Sequence, residues 1–463
     1  MYRLFLTALI PLAQAIDLQL DSPSSIKDAT SKIANDMMTF YTGDEPGQIP
    51  GLLPGSLNCN PSEPDNYCWW QAGAMWGSLI NYWQYTGDET HNADVRQSIL
   101  HQRGPQDNFN PPNHSSSMGV DDQVFWAFSA LDAVEANFPE QEGAPSWLSL
   151  AQGLYNFQMK LWDTNACGGG FRWQVVPLNQ GYNLKNMISN GGNFQVAARL
   201  AYITGNETYG DWATMVWDWM ASSPMFERSD GILYIWDNLN ADLDCKGEEA
   251  LVRLIWSYNY GVLLGGAAYM YNYTDGDPRW LDRVEEILES AFQLYFPAEF
   301  GGNIMVEFHC ETQGICNQDQ KSFKAYLSRW MAVTALLVPS TYDRIMPKLR
   351  ESAIGAARQC KGGASGNMCS AQWWSDVPTG RTGVGEQMTA LAVIGANLIN
   401  PGMTPLSQAS GATSESKPDT GVNTGPDPIS RKPVTDGDRA GAAIFTILIA
   451  AFLVGGAVWL IWD

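Results

Sequence analysis

Asp121 and Asp122 stand side by side where a stretch rich in Pro, Asn and Ser, from Asn108 to Gly119, gives way to a helical run from Gln123 to Phe138. Two carboxyl groups reaching one cleft are what glycoside hydrolysis needs: one protonates the leaving oxygen, the other attacks the anomeric carbon or activates water. Neighbouring side chains in a regular helix point about 100° apart. The pair is therefore expected just ahead of the first turn, where non-helical backbone can turn both into one space. There a carboxylate near free backbone N–H groups stays ionised, while its neighbour, raised by that charge and by desolvation, keeps a proton. The competing reading is helix capping, for which Asp is a common residue.

Clusters of amide, hydroxyl and aromatic side chains recur elsewhere: Cys68 to Gly73, Gly168 to Gln174, Lys185 to Gly191, Trp256 to Asn259, Lys324 to Tyr326 and Gly383 to Gln387. Sugars need both hydrogen bonds and a flat apolar platform. Trp70, Gln71, Arg172, Trp173, Asn190, Tyr258, Asn259 and Glu386 are the candidate binding residues. Singly each has an ordinary explanation: Trp70 and Trp173 as core, Asn190 as a cap, Glu386 as a helix-start carboxylate.

The elements that must position these groups are helical. About twelve segments carry helical periodicity, at 22–41, 70–85, 88–102, 122–138, 146–162, 184–204, 207–222, 250–273, 277–296, 319–338, 341–359 and 384–398. They alternate in character. Residues 254–271 are apolar on every face and dotted with Gly261, Gly265 and Gly266, which suits an inner helix. The next helix, with Asp277 as cap and Pro278 at its first position, puts Leu281, Val284, Ile287, Leu288 and Ala291 on one stripe. Short turns with a Thr-Gly-Asp theme follow the inner helices. Long connections precede them, and loops of that length are usually functional or disordered. Each cysteine falls in one of these connections or at its edge. The pattern predicts an all-α fold, a closed toroid of about six helical hairpins with one elaborate face. An open solenoid is the alternative, but its loops have no reason to be covalently tied.

The ends of the chain read as an address. Residues 1–15 resemble a signal peptide, with Arg3, an apolar run from Leu4 to Leu12 and the small-x-small site Ala13-Gln14-Ala15. Residues 16–400 form the domain, and 401–438 read as a disordered stalk rich in Pro, Ser, Thr and Gly. Residues 439–463 read as a GPI-attachment signal that is removed, with Asp436 or Gly437 as the attachment residue. A single-pass tail anchor is the alternative. Such a chain is expected on the extracellular face of the plasma membrane. The eight cysteines of an exported chain favour disulfides, and the near-neighbour pairs Cys310 with Cys316 and Cys360 with Cys369 are expected first. Asn113, Asn206 and Asn272 are glycosylation sequons. The four histidines show no ligand spacing, so no catalytic metal and no cofactor are expected. A net charge of −22 excludes nucleic acid as a partner and leaves a lipid anchor as the only membrane contact. A monomer is expected.

Taken with the aspartate pair, the strings Trp69 to Met75, Asp121-Asp122-Gln123, Cys167 to Gly170, Phe171 to Gln174, Ser189-Asn190-Gly191, Tyr258-Asn259 and Gly383 to Gln387 resemble glycoside hydrolase family 76, the α-1,6-mannanases, from about Ile33 to Leu398. The resemblance implies an (α/α)6 barrel and a retaining endo-1,6-α-mannosidase with Asp121 as nucleophile and Asp122 as acid/base. Together with the terminal signals it implies the fungal cell-wall branch, in which mannose-containing GPI-anchor glycans are transferred to wall β-glucan. Gln71, Val120 and Tyr260 depart from the pattern, where Glu, an amide or acid, and Gln are expected. Those departures motivate a second reading, a catalytically silent mannan-binding scaffold.

Overall fold

An apolar helix with small residues on its faces can be packed on every side, and α8 (Ser257–Tyr273) is: residues 257–270 are all buried. A Cβ on Gly261 would sit 2.8 Å from the backbone of Leu327, so α8 and α11 (Phe323–Leu337) touch chain to chain. In contrast α9 (Pro278–Tyr295), capped by Asp277, buries only the stripe that holds Trp280, Val284, Ile287, Leu288 and Ala291. The remaining helices are α1 (Pro23–Met38), α2 (Trp69–Thr86), α3 (Asn92–Gln102), α4 (Val120–Glu135), α5 (Trp147–Met159), α6 (Met187–Thr204), α7 (Glu207–Ser222), the single turn α10 (Phe308–Glu311), α12 (Tyr342–Arg358) and α13 (Val384–Gly395). This computed structural model describes residues 15–422 and scattered helical positions between 437 and 452.

The inner helices pack in the order α2, α4, α6, α8, α11, α13, and α13 returns to α2, so the ring is closed. Each carries an outer partner: α3 on α2, α5 on α4, α7 on α6, α9 on α8, α12 on α11, and α1 on α13. The first outer helix thus packs on the last inner one. This is an (α/α)6 barrel, as expected, and all six inner helices start at the same end.

The barrel's middle, toward the opposite end, holds charge. Arg199 on α6 donates to Glu135 Oε1 and to Asp132 Oδ1 on α4, both at 2.8 Å. Arg329 on α11 binds the other oxygen of Asp132 and donates to Asn81 Oδ1 on α2 at 2.8 Å. Tyr269 on α8 donates to Glu135 Oε2 at 2.6 Å. Five of the six inner helices meet in one network in which every charge has an opposite partner, the condition under which buried ions are tolerated.

Two expectations need correction. Helices were expected from 184 and 250, but α6 and α8 begin later because short strands precede them. β1 (Leu184–Asn186), β4 (Asn238–Asn240) and β5 (Leu251–Val252) form an antiparallel sheet in the order β1-β4-β5, and β2 (Phe226–Ser229) pairs with β3 (Ile232–Ile235) as a hairpin. Residues 401–422, expected as the start of a stalk, are ordered. Tyr202 donates to the Pro405 carbonyl, Asn137 Oδ1 accepts the Thr413 N–H, Gln152 Oε1 accepts the Lys417 N–H and Asn156 donates to the Thr420 carbonyl. Polar composition argues against burying apolar surface, yet here the barrel's own amides satisfy the backbone of the segment. Of the signal peptide expected at residues 1–15, residues 1–14 lie outside the described residues, as does Asp436. Among the described residues no helix is long and apolar enough to cross a membrane.

The structure contains the two expected disulfides, Cys310–Cys316 and Cys360–Cys369, together with Cys59–Cys68 and Cys167–Cys245. Asn113, Asn206 and Asn272 are all exposed.

Replacing Arg199 by Met is expected to leave Glu135 without its cation and Asp132 with Arg329 alone, and to cost about 3–5 kcal/mol. Denaturant unfolding of the purified protein checks this; a loss under about 1 kcal/mol would show that the network does not hold the ring.

Candidate active site

The aspartate pair lies inside the first turn of α4, not ahead of it. Gly119 is the N-cap, Val120 the first helical residue, and Asp121 and Asp122 the second and third. Both still reach one cleft because Cα–Cβ bonds tilt toward the helix start, so first-turn side chains project past the end. Asp122 bends back so that its Oδ2 accepts the Gly119 N–H at 2.7 Å. Asp121 Oδ2 accepts from the Asn186 amide at 2.9 Å, and its Oδ1 accepts the Asp122 N–H at 3.1 Å. The point where a Gly119 Cβ would stand is 2.2 Å from Asp121 Oδ1 and 3.1 Å from Asp122 Oδ2. Those two distances together cap the separation of the oxygens at about the 5 to 5.5 Å of retaining carboxyl pairs.

The cleft has a volume of about 200 Å³, and its walls come from the starts of the inner helices. Trp70 from α2 lies against Phe125 with ring centroids 4.6 Å apart and donates its indole N–H to Asp319 Oδ1 at 3.2 Å. Tyr258 from α8 stacks parallel on Phe323 from α11 at 4.0 Å. Trp173 is held by two backbone bonds: its N–H donates to the Leu184 carbonyl at 2.8 Å, and its carbonyl accepts the Val120 N–H at 2.7 Å. Asn186 caps α6, while Asp237 and Asn238 come from the edge of β4.

Four carboxyl groups line this space, Asp121, Asp122, Asp237 and Asp319, and no Lys or Arg does. Burial dominates each. It pushes Asp122 up to about 6 against the pull of the Gly119 N–H, and Asp237 up to about 6 against that of the Asn238 amide. Burial, then the Asp122 charge, pushes Asp319 to about 7. Asp121 is driven well above the usual carboxylate range by burial and then by Asp122, with Asn186 and the Asp122 N–H pulling the other way. Two coupled carboxyls so placed share one proton near neutrality.

Of the residues expected to bind substrate, Trp70, Trp173 and Tyr258 line the cleft, and the others do not. Gln71 closes a capping box with the Cys68 N–H at 2.9 Å and donates to the Gln318 carbonyl at 2.9 Å, which sets the neighbouring Asp319. Arg172 pairs with Asp163 at 2.7 Å and donates to the Tyr182 carbonyl at 3.0 Å, holding the loop that carries Trp173. Asn190 accepts the Phe171 N–H at 2.8 Å and donates to the Asn186 carbonyl at 2.8 Å. Asn259 is buried on α8, and Glu386 lines a different cavity. Val120 and Tyr260 have structural work: Val120 is buried with its carbonyl accepting from Gln158 at 2.8 Å, and the Tyr260 hydroxyl donates to the Leu233 carbonyl of β3 at 2.8 Å.

Sequence reasoning missed Asn186, Asp237, Asn238, Asp319 and Phe323. Asn186 belongs to the Lys185 to Gly191 cluster and reads as the cap of α6 once that helix is placed. The two aspartates carry no comparable local signal.

A ring of six helical hairpins whose helix starts gather adjacent carboxyls and aromatic rings in one cleft defines a carbohydrate-active enzyme of the (α/α)6 class. The chain belongs to glycosyl hydrolase family 76, whose sequence pattern matches residues 25–409, and it is a glycoside hydrolase. It is 39% identical to the mannan endo-1,6-alpha-mannosidase DCW1 of Saccharomyces cerevisiae over 96% of this chain and 95% of that protein. It is 36% identical to the mannan endo-1,6-alpha-mannosidase DFG5 of the same yeast, over 96% and 94%. The crystal structure of Dfg5 from Chaetomium thermophilum in complex with glucosamine matches with a TM-score of 0.79 at 37% identity, covering 88% of this chain and 97% of that one. An inactive variant of the α-1,6-mannanase GH76A of Salegentibacter sp. in complex with α-1,6-mannotriose shares the fold, with a TM-score of 0.62 at 19% identity over 81% and 99%.

Gly119→Ala tests the site's geometry. The backbone there is extended and admits Ala, but the new methyl would meet Asp121 Oδ1 at 2.2 Å and the Trp173 indole nitrogen at 3.0 Å. Turnover is expected to fall roughly tenfold or more, as misplacement of reacting groups does, with the circular-dichroism spectrum unchanged. Wild-type rates would show that the pair tolerates displacement.

A second measurement follows from Asp319. Its folded-state value of about 7 lies above that of an unfolded Asp, so its protonated form favours the fold. That contribution is complete in mild acid, below the unfolded value, and is lost as pH rises through about 7. The melting temperature is expected to fall between pH 5 and pH 8, and to fall less in Asp319→Asn. Equal slopes in the two proteins would refute the assignment.

Proposed function

We propose that this glycoside hydrolase is a retaining enzyme acting on α-1,6-mannosyl linkages, and the observation that carries the proposal is the close pair Asp121 and Asp122 at the start of α4. Asp121, which accepts from Asn186 and from the Asp122 N–H, is oriented as the nucleophile. It attacks the anomeric carbon while Asp122 gives its proton to the leaving oxygen, and the glycosidic bond breaks as the mannosyl ester on Asp121 forms. Asp122, now a carboxylate, takes the proton of an incoming hydroxyl, whose oxygen displaces Asp121. Trp70, Trp173 and Tyr258 supply the faces on which pyranose rings stack. The relatives named above are called mannan endo-1,6-alpha-mannosidases, which supports this linkage.

The same ester can be captured by water or by a second sugar. We read the chain as a wall enzyme that moves mannose-containing GPI-anchor glycans onto β-glucan, held at the extracellular face as a monomer by a lipid attached at Asp436 or Gly437. The silent-scaffold reading loses its motive, because Gln71, Val120 and Tyr260 have structural partners that require no catalytic role.

Asp121→Asn and Asp122→Asn are each expected to lower turnover of α-1,6-mannotetraose by roughly 10²–10⁴-fold or more, and wild-type turnover is expected to decline as pH rises above neutrality, once the one proton that the coupled pair Asp121 and Asp122 shares is lost. Residual activity within tenfold of wild type in either variant would remove that residue from the mechanism. With a labelled glucan oligosaccharide present, a product carrying both label and mannose would establish transfer, and free reducing ends alone would establish hydrolysis. Release of the cell-bound protein by phosphatidylinositol-specific phospholipase C checks the anchor.

A further inference from the structure

Gly383-Val384-Gly385-Glu386-Gln387 at the start of α13 repeats the pattern of Gly119-Val120-Asp121-Asp122-Gln123 at the start of α4. In both, an extended Gly is the N-cap, Val is the first helical residue, an acid is the third, and the Gln that follows is buried. In α4 this arrangement presents Asp122 to the cleft. In α13 it presents Glu386, which is 1% exposed, lies 3.4 Å from Lys321 through Oε1, and has no hydrogen-bond partner for Oε2 among the described residues. A buried carboxylate oxygen without a donor is costly and marks a site completed by something else.

Glu386 lines a cavity of about 280 Å³, larger than the catalytic cleft, between the loop tied by Cys310–Cys316 and the 370–381 segment. Only the turn Gln320–Ser322 separates the two: Asp319 faces the cleft and Lys321 faces the cavity. The cavity's polar groups are of mixed sign. Lys321 offsets Glu386, Lys324 pairs with Glu311 at 2.5 Å, and Gln372, Thr379 and Arg381 add neutral and cationic donors. No aromatic ring lines it. A carboxylate, a guanidinium, an amide and a hydroxyl around one cavity offer the acceptors and donors that the hydroxyls of a neutral sugar, held by its edges, require.

We propose that this cavity is a second, non-catalytic subsite, which binds a neutral hexose unit of the acceptor glycan through Glu386, Lys321 and Arg381. The proposal rests on the transglycosidase reading and deepens it. An acceptor seated one turn of backbone from the wall of the cleft that holds the mannosyl ester would compete with water by proximity.

The test uses the full-length protein with Asp121→Asn and Asp122→Asn, so that neither sugar is consumed, titrated calorimetrically with α-1,6-mannotriose and with laminaripentaose. The two are expected to bind together, one equivalent each. Glu386→Gln, which preserves volume, and Arg381→Ala, which is a surface change, are each expected to weaken laminaripentaose at least tenfold. Mutual displacement of the two sugars, no binding of laminaripentaose, or binding indifferent to both substitutions would overturn the subsite. Failure of mannotriose alone to bind would instead count against the mannosidase reading, with the glucan site standing on its own titration.

Discussion

The ring depends on a charge network buried between its inner helices. Six inner helices that meet around an axis leave a space that apolar side chains from five of them could fill in many arrangements. Arg199 bridging Asp132 and Glu135, with Arg329 and Tyr269 completing their remaining oxygens, admits far fewer. Each ion is satisfied only when α2, α4, α6, α8 and α11 stand in register. A buried network of this kind adds little net stability over apolar packing, but a wrong register leaves a bare charge. Register is what the opposite end of the barrel needs, because the active groups there sit on the first turns of the same helices.

At that end helix geometry is put to use. Six helix starts converge, and each brings unpaired N–H groups and the positive end of its dipole. Four carboxyl groups can therefore gather without a Lys or Arg in the cleft wall. Their values rise to about 6 or 7 for Asp122, Asp237 and Asp319, the range in which a carboxylic acid can both hold and release a proton in a mildly acidic medium. Gly119 is required here for space: the pair folds back over the position its Cβ would fill.

What could be read from the sequence was whatever is written locally. The aspartate pair, the alternation of inner and outer helices and the two near-neighbour disulfides all depend on residues close together in the chain. The start of α4 was misplaced because its cap is a glycine whose work is done by Asp122 from the third position, so no capping side chain marks the true first residue. The β2–β3 hairpin carries a signal, Asp230-Gly231 with φ of 53° and 76°, but it stands in the connection between the helices expected at 207–222 and 250–273, which reads as a long loop. Asp237 and Asp319 were out of reach for a different reason. Asp237 is an isolated acid in a long connection and Asp319 a single acid at the first position of the helix expected at 319–338, and only closure of the ring brings them to a pair more than a hundred residues earlier in the chain. Gln71, Arg172 and Asn190 were read as ligand-binding groups because amides and guanidinium near aromatic rings look alike whether they hold a sugar or the loop beneath it.

The disulfides explain how a site built on loops attains the precision of one built on helices. Cys59–Cys68 ends one residue before α2, which carries Trp70. Cys167–Cys245 joins the loop of Trp173 to the connection between β4 and β5, across a separation of 78 residues. Cys310–Cys316 lies three residues before Asp319, and Cys360–Cys369 fixes the approach to α13 and Glu386. Each cross-link thus falls beside a wall of the cleft or of the adjoining cavity. None lies in the turns at the far end, where Gly87 and Gly205 end their helices in the left-handed conformation and nothing has to be held for chemistry. A covalent tie reduces the freedom of a loop before substrate arrives, so binding energy is not consumed in ordering it. Rigid walls on both sides of the 317–322 segment therefore hold the cleft and the adjoining cavity in place ahead of any ligand.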